Sequence, residues 1–173
     1  EYFVATIRRP CALIIAADGS HRGHAMTFGT VLSTLQHHYI TLQGHGYGTP
    51  SAHRAEAWAI LAGSRLLLHI KNFHGVRFHP ETTIEILSDN AGLITRLNSR
   101  KQYQRPYPNA TLPPDWDLTE QIHSTLQDLQ HPFTYDWIRG HQDHITPYYR
   151  LPIPAQANVT AHYLARDYMQ TTG

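Results

Sequence analysis

The chain has 173 residues, of which 41% are hydrophobic and 16% are charged, a balance typical of one folded domain and not of a disordered tail. The formal net charge is +1, so any basic surface must be local. No apolar stretch is long enough to span a membrane, and a lone cysteine, Cys11, excludes an internal disulfide framework. We expect one domain over residues 1–173, in which residues 1–10 are a lead-in without a predicted helix or strand, and we expect an intracellular location. Because the chain does not begin with Met, we also expect it to be a segment of a longer protein.

The first distinctive stretch is residues 11–20, which read CALIIAADGS. An unbroken apolar run of strand length predicts a central strand that is covered on both faces. Asp18 is then expected where this strand leaves the core, with Gly19 permitting a sharp turn. An Asp-Gly pair is also an ordinary turn, so the placement of other carboxylates decides whether Asp18 has a function.

A second acid lies on a predicted helix. Residues 25–34 and 38–43 are expected to continue the sheet as a meander, and Ser51 is suited to cap a helix that runs to about Ile70. Mostly small residues share one stripe of this helix: Ala52, Glu56, Ala59, Ile60, Gly63 and Leu67. A buried carboxylate is unfavourable unless it is paired or bound to a cation. Glu56 is therefore expected either to form a salt bridge with a neighbouring arginine or to bind a metal.

A third acid follows the next strand. Residues 82–88 predict a fourth strand, which ends at Asp89 and is followed by Asn90 and a short helix to about Leu97. Two strands thus end in aspartates, and the helix between them presents a glutamate inward. Three such placements in one small domain indicate that the acids converge on a point.

Residues 98–116 are the least regular part of the chain. Basic and aromatic residues alternate in and beside this stretch: Arg96, Arg100, Lys101, Tyr103, Arg105 and Tyr107. The pattern suits a surface that contacts phosphates and stacks on bases, and it also suits an ordinary solvated loop. A helix over 117–130, a strand over 133–138, a polar loop from Gly140 and a helix over 157–169 complete the predicted elements.

With this order of elements, several motifs resemble those of the ribonuclease H family: DGS (18–20), RAEAWAI (54–60), SDN (88–90), WIRGHQD (137–143) and ANVTAHYLA (157–165). The resemblance covers roughly residues 11–170. From DWDL (115–118) through GHQD, the chain is most similar to ribonuclease H domains attached to reverse transcriptases of eukaryotic retroelements. The resemblance implies an α/β ribonuclease H-like fold, a five-stranded mixed sheet with helices on both faces.

The resemblance also implies an activity and a metal site. It implies cleavage of the RNA strand of RNA·DNA hybrids, leaving 5′-phosphate and 3′-hydroxyl ends, at two Mg²⁺ ions for which Mn²⁺ can substitute. The implied catalytic residues are Asp18, Glu56, Asp89, His141 and His162, of which all but His141 are metal ligands. The residues expected to bind nucleic acid are Ser20, Asn90, Arg100, Lys101, Arg105 and Arg139. The expected partners are the hybrid and a covalently linked reverse transcriptase domain, and the isolated domain is expected to be a monomer.

His162 departs from the family, which has an aspartate at this position. An imidazole removes one negative charge from the site, and nitrogen suits Mn²⁺ or Zn²⁺ better than Mg²⁺. The domain could be active with a weaker second site, or it could bind hybrid and support a polymerase with little chemistry of its own. His162 could also be an introduced substitution, and a protein-interaction domain with this fold is a further alternative. We favour activity, because three acids remain.

Overall fold

The computed structural model describes residues 2–36, 38–102 and 114–172. None of the helices within these ranges is both long and apolar enough to cross a membrane. In chain order the helices and strands are α1 Tyr2–Ile7, β1 Ala12–Arg22, β2 Ala25–Thr34, β3 Tyr39–His45, α2 Ala52–His74, β4 Thr83–Ser88, α3 Ala91–Gln102, α4 Trp116–Gln127, β5 Thr134–Trp137 and α5 Ile153–Thr172.

The sheet has five strands in the order β3-β2-β1-β4-β5, so β1 is its central strand. β1 pairs antiparallel with β2 and parallel with β4. β4 in turn pairs parallel with β5. The parallel ladder between β1 and β4 ends where Ala17 lies opposite Ser88. The predicted five-stranded mixed sheet is confirmed.

Both faces of β1 are buried, because alternate side chains of a strand point to opposite sides of the sheet. Leu13, Ile15 and Ala17 belong to the larger core, which includes apolar residues of α2, α3 and α4. Ile14 and Ala16 belong to a smaller core, to which α5 contributes. Helices therefore cover both faces of the sheet, as the resemblance implies.

α2 lies close against β1. It begins after Ser51, whose side chain accepts a hydrogen bond from the backbone N–H three residues later, as predicted. Gly63 permits the close approach, since a Cβ at this position would lie 2.7 Å from Cγ2 of Ile15 and of Thr30. The small residues of this face thus bring Glu56 to the sheet.

The prediction that Asp18 ends the first strand is wrong. β1 continues to Arg22, because its antiparallel ladder with β2 continues past Asp18, which lies opposite Gly29. By that point the parallel ladder with β4 has already ended. Gly19 consequently serves close packing and makes no turn: a Cβ there would lie 2.5 Å from the backbone N of Glu56.

Other differences concern the ends of helices. Residues 1–10 were expected to be an irregular lead-in, but α1 forms because Phe3 and Ile7 pack into the larger core. α3 extends to Gln102, and α5 begins at Ile153, so both helices are longer than predicted. Apolar periodicity is a weak guide at such ends, where few side chains are buried.

Gly29 of β2 lies where α5 crosses the sheet. A Cβ at Gly29 would meet the carbonyl oxygen of Ala161 and lie 2.7 Å from Leu164 Cβ and 2.8 Å from the backbone N of Ala165. Helix backbone cannot yield without moving off the sheet. We predict that Gly29→Ala lowers the free energy of unfolding by about 1–3 kcal/mol, measured by urea denaturation.

Gly92→Ala is the matched control. Gly92 lies on an exposed part of α3, where the nearest heavy atom to an added Cβ would be Asn90 Oδ1 at 3.4 Å. This variant should change the free energy of unfolding by less than about 1 kcal/mol. Equal losses in the two variants would contradict the close contact between α5 and the sheet.

Candidate active site

The three predicted acids converge at one end of the sheet. Asp18 lies on β1 just after its ladder with β4 ends, Asp89 directly follows β4, and Glu56 lies on the second turn of α2. One carboxylate oxygen of each lies within 4.8 Å of the other two. Asp18 and Glu56 are only 5% and 7% exposed, whereas Asp89 is partly exposed. The result is a carboxylate cluster that solvent reaches on the side of Asp89.

The carboxylates of this cluster disfavour one another's charge. Burial, and then repulsion from Asp18, raises the pKa of Glu56 to about 10. Burial is also the main reason that the pKa of Asp89 is raised, and the charge of Asp18 adds to it. Negative charge crowded into a buried place is what a bound cation stabilises most.

Arg54, two residues before Glu56, does not pair with it. Its guanidinium donates to Asp115 at 3.0 Å and to Asp117 at 2.8 Å, and its Nε donates to the carbonyl oxygen of Tyr47. The bond to Arg54 lowers the pKa of Asp117. Arg54 therefore ties α2 to the start of α4, and the salt bridge that would have explained a buried Glu56 is not made by this residue.

Ser88 holds Glu56 in place. The Ser88 hydroxyl, which is fully buried, donates to Glu56 Oε2 at 2.6 Å and accepts a hydrogen bond from the backbone N of Asn90 at 3.1 Å. Asn90 Oδ1 in turn accepts from the backbone N of Leu93 at 3.0 Å and caps α3. The sequence analysis predicted that Asn90 binds nucleic acid but assigned no role to Ser88, although the SDN motif places Ser88 next to Asp89.

The end of β5 and the segment that follows it, residues 137–140, lie against Asp89. The backbone N of Ile138 donates to the Ser88 carbonyl at 3.0 Å, and Trp137 Nε1 donates to the Asp89 carbonyl at 3.0 Å. A Cβ at Gly140 would lie 2.5 Å from Asp89 Oδ2, so a side chain at this position would displace the Asp89 carboxylate. The WIRGHQD motif thus positions Asp89 through the indole N–H of Trp137 and the close approach of Gly140.

Two histidines border the acids. Nδ1 of His162, on α5, lies 2.8 Å from Asp18 Oδ2, and this hydrogen bond is the main reason that the His162 pKa is raised. The ring centroid of His141 lies 4.9 Å from that of His162, and His144 stacks on His141 at 5.1 Å. His141 has a φ of 54°, which is uncommon for a residue with a side chain. Both predicted histidines therefore lie beside the acids, while their catalytic roles stay predictions.

The basic residues predicted to bind nucleic acid lie in different surroundings. Arg100 is 6% exposed and pairs with Glu120 of α4, which argues against contact with phosphates. The Lys101 ammonium donates to the carbonyl oxygen of Phe133 and lies 4.6 Å from the centroid of that ring. Arg105 lies outside the described residues, as do Tyr103 and Tyr107.

Two predicted nucleic-acid residues are neighbours, along the chain, of residues that form the acid site. Ser20 is partly exposed and follows Asp18 by two positions on β1. Arg139 is exposed and immediately precedes Gly140, which contacts Asp89. These two residues are better placed than Arg100 to meet a substrate at the acid cluster.

No family model matches the chain, and no curated protein matches it by sequence. Solved structures do match it, and the solution structure of the PFV ribonuclease H domain is one of them. That domain is 18% identical, with 94% of this chain and 97% of that chain covered and a TM-score of 0.63.

Two further structures extend this likeness. LC11-RNase H1, isolated from compost by a metagenomic approach, was solved with an RNA/DNA hybrid; it is 13% identical, with 91% of this chain and 99% of that chain covered and a TM-score of 0.56. The prototype foamy virus protease–reverse transcriptase is 17% identical, with 91% of this chain but 20% of that chain covered and a TM-score of 0.53.

The buried Ser88–Glu56 bond gives a prediction. Ser88→Ala leaves a buried carboxyl oxygen and the backbone N–H of Asn90 without the hydroxyl, so the free energy of unfolding should fall by about 1–3 kcal/mol. Ser99→Ala, on an exposed part of α3, should change it by less than about 0.5 kcal/mol. Both values come from urea denaturation, and equal effects would show that Ser88 does not support Glu56.

Proposed function

We propose that this chain, which has the ribonuclease H fold, is a metal-dependent endoribonuclease that hydrolyses the RNA strand of RNA·DNA hybrids. The observation that carries the proposal is the convergence of Asp18, Glu56 and Asp89 within 4.8 Å at the end of the two parallel strands. The likeness to solved ribonuclease H domains supports it.

The donor set of this cluster fits divalent metal ions. Carboxylate oxygens are the ligands that Mg²⁺ and Mn²⁺ prefer, and the pKa of the buried Glu56 is raised to about 10 by its surroundings. Asp18, Glu56 and Asp89 would hold the metal. When bound, divalent cations at such a site neutralise charge on the scissile phosphate and supply an activated water.

The remaining residues orient the acids and handle protons. Ser88 fixes the Glu56 carboxyl, and the segment from Trp137 to Gly140 fixes Asp89. Water forms a bond to phosphorus as the bond from phosphorus to the 3′-oxygen breaks, and the leaving oxygen must gain a proton. His141, exposed beside the acids, is proposed to give that proton, leaving a 5′-phosphate and a 3′-hydroxyl.

Choice of the RNA strand is proposed to depend on 2′-hydroxyls and on duplex shape. Ser20 and Arg139 are proposed to contact the hybrid, because Ser20 follows Asp18 by two positions on β1 and Arg139 precedes Gly140, which lies against Asp89. Neither contact requires a particular base, so we expect cleavage with little sequence preference.

The setting of the domain is part of the same proposal. One structure that this chain resembles is a protease–reverse transcriptase, and the match covers 20% of that longer chain. We propose that this chain is likewise linked to a reverse transcriptase of a retroelement, acts inside the cell and is monomeric when isolated.

A second function has one observation in its favour. His162 binds Asp18 at 2.8 Å, where the family resemblance leads one to expect an aspartate. A module that binds hybrid but cleaves it poorly would also be compatible with this contact. Binding without cleavage would identify this second function.

Cleavage of matched duplexes tests the proposal. End-labelled RNA·DNA, RNA·RNA and DNA·DNA duplexes of one sequence are incubated with the protein and Mg²⁺, with and without a chelator. We expect cleavage of the RNA strand of the hybrid alone and only with the metal. Cleavage in the chelator, or of all three duplexes, would contradict the proposal.

Asp18→Asn should abolish cleavage and stabilise the metal-free protein. It removes a negative charge that raises the pKa values of Glu56 and Asp89, so the melting temperature should rise while the rate falls by at least about 10²-fold. Asp167→Asn removes the same charge from an exposed part of α5 and should leave both unchanged. Activity retained in Asp18→Asn would exclude this site.

Arg139→Ala should weaken hybrid binding and reduce the slope of log affinity against log salt by about 1. Arg77→Ala is the control, because Arg77 is exposed after the other end of α2 and should alter neither quantity. Fluorescence anisotropy at several salt concentrations measures both. Identical slopes for Arg139→Ala and the unmodified protein would remove Arg139 from the interface.

A further inference from the structure

We infer that His162 is not a metal ligand but takes the place of a second metal ion, so that the centre holds one divalent cation between Asp18, Glu56 and Asp89. The inference rests on the proposed function and deepens it, since the resemblance implies two ions with His162 as a ligand of one. It follows from the direction of one hydrogen bond, the geometry of imidazole and the packing of α5.

The hydrogen bond between His162 and Asp18 has only one direction when the carboxylate is ionised. An ionised carboxylate accepts hydrogen bonds and cannot donate one. At 2.8 Å from Asp18 Oδ2, Nδ1 of His162 must therefore carry a hydrogen. A nitrogen that carries a hydrogen has no lone pair for a metal, so Nδ1 is not available as a ligand while this hydrogen bond is kept.

The other ring nitrogen points elsewhere. Nε2 lies across the imidazole ring from Nδ1, so it is directed away from the atom that Nδ1 binds. Among the described residues, the group at this site whose ligand atoms all lie within 4.8 Å of one another consists of the three acids and includes no imidazole. His162 thus contacts the cluster only as a hydrogen-bond donor.

Both oxygens of Asp18 already accept a hydrogen bond. Oδ1 accepts from the backbone N of Gly19 at 2.9 Å, and Oδ2 accepts from His162. Each carboxylate oxygen has two lone pairs, so Asp18 can still bind one cation, but the lone pair of Oδ2 on the side of α5 is taken by the imidazole. The imidazole N–H directs its positive end at Asp18 Oδ2, so a cation that approached this oxygen from the side of α5 would be repelled.

The packing of α5 keeps the imidazole at this place. α5 carries His162 between Ala161 and Ala165, which lie against Gly29 of β2. The hydroxyl of Thr27 donates to the carbonyl oxygen of Ala165 at 2.6 Å. Because the helix cannot shift along the sheet without breaking these contacts, the backbone of residue 162 is held beside Asp18.

Counting bound Mn²⁺ by electron paramagnetic resonance tests the inference. The unmodified protein, His162→Asn and His162→Asp are titrated with Mn²⁺ alone and with an RNA·DNA hybrid that is rapidly frozen after mixing. His162→Asn keeps an N–H donor for Asp18, whereas His162→Asp offers a carboxylate to a second ion. Pulsed measurements also reveal whether a nitrogen is bound directly to Mn²⁺, a readout that does not depend on activity.

We expect one ion in the unmodified protein, no directly bound nitrogen, and an unchanged affinity in His162→Asn. With hybrid, His162→Asp should bind two ions. The inference would be overturned by two ions or a directly bound nitrogen in the unmodified protein. It would also be overturned by a loss of Mn²⁺ affinity of roughly tenfold or more in His162→Asn, or by one ion in His162→Asp with hybrid.

The same titration separates this inference from the proposed function. If no Mn²⁺ binds at all, both the inference and the proposed metal centre fail. If one ion binds but the protein neither binds nor cleaves hybrid, the count still stands and the proposed substrate is wrong.

Discussion

Three carboxylates lie together in one small and mostly buried place, and the repulsion between their charges is the constraint around which the molecule is arranged. In the metal-free protein Glu56 is protonated at neutral pH, because burial and the charge of Asp18 raise its pKa to about 10 even though Ser88 donates a hydrogen bond to it. Hydrogen-bond donors directed at the carboxylates partly offset this repulsion. Ser88 donates to Glu56, and His162 and the backbone N of Gly19 donate to Asp18. The acids are thus held together in advance of any cation.

The topology of the sheet brings the acids together. Parallel strands place their carboxyl ends at the same edge, so Asp18 on β1 and Asp89 after β4 become neighbours once these strands pair. α2 then brings Glu56 to that edge, and it comes close because Gly19 and Gly63 carry no side chains. Glycines at these positions bury no side chain of their own, and this lets the helix approach the sheet. Sites that collect like charges in this way are expected to reduce stability.

Much of this arrangement could be predicted from the sequence. The apolar run before Asp18 and the small-residue stripe around Glu56 are local patterns, and both predicted the burial that the structure has. The Asp18-Gly19 pair was misleading, because Asp-Gly occurs in turns and also, as here, inside a strand whose ladder with a neighbouring strand continues. Whether Gly19 turns or packs depends on α2, which begins 33 residues later.

Contacts between distant residues were not accessible from local patterns. Arg100 looked like a surface cation, but its partner Glu120 lies on another helix 20 residues away. His162 and Asp18 are separated by 144 positions, so the sequence could show that a histidine stands where the resemblance leads one to expect an aspartate, but not what that histidine binds. The role of Ser88 likewise depends on Glu56, which approaches from α2.

The most direct test of this account is to locate the metal. Crystals grown with Mn²⁺ would show, by anomalous scattering at the manganese absorption edge, which side chains surround the ion. The account predicts anomalous density bounded by carboxylate oxygens of Asp18, Glu56 and Asp89. Density bound instead by the stacked His141 and His144, or none at the three acids, would contradict it.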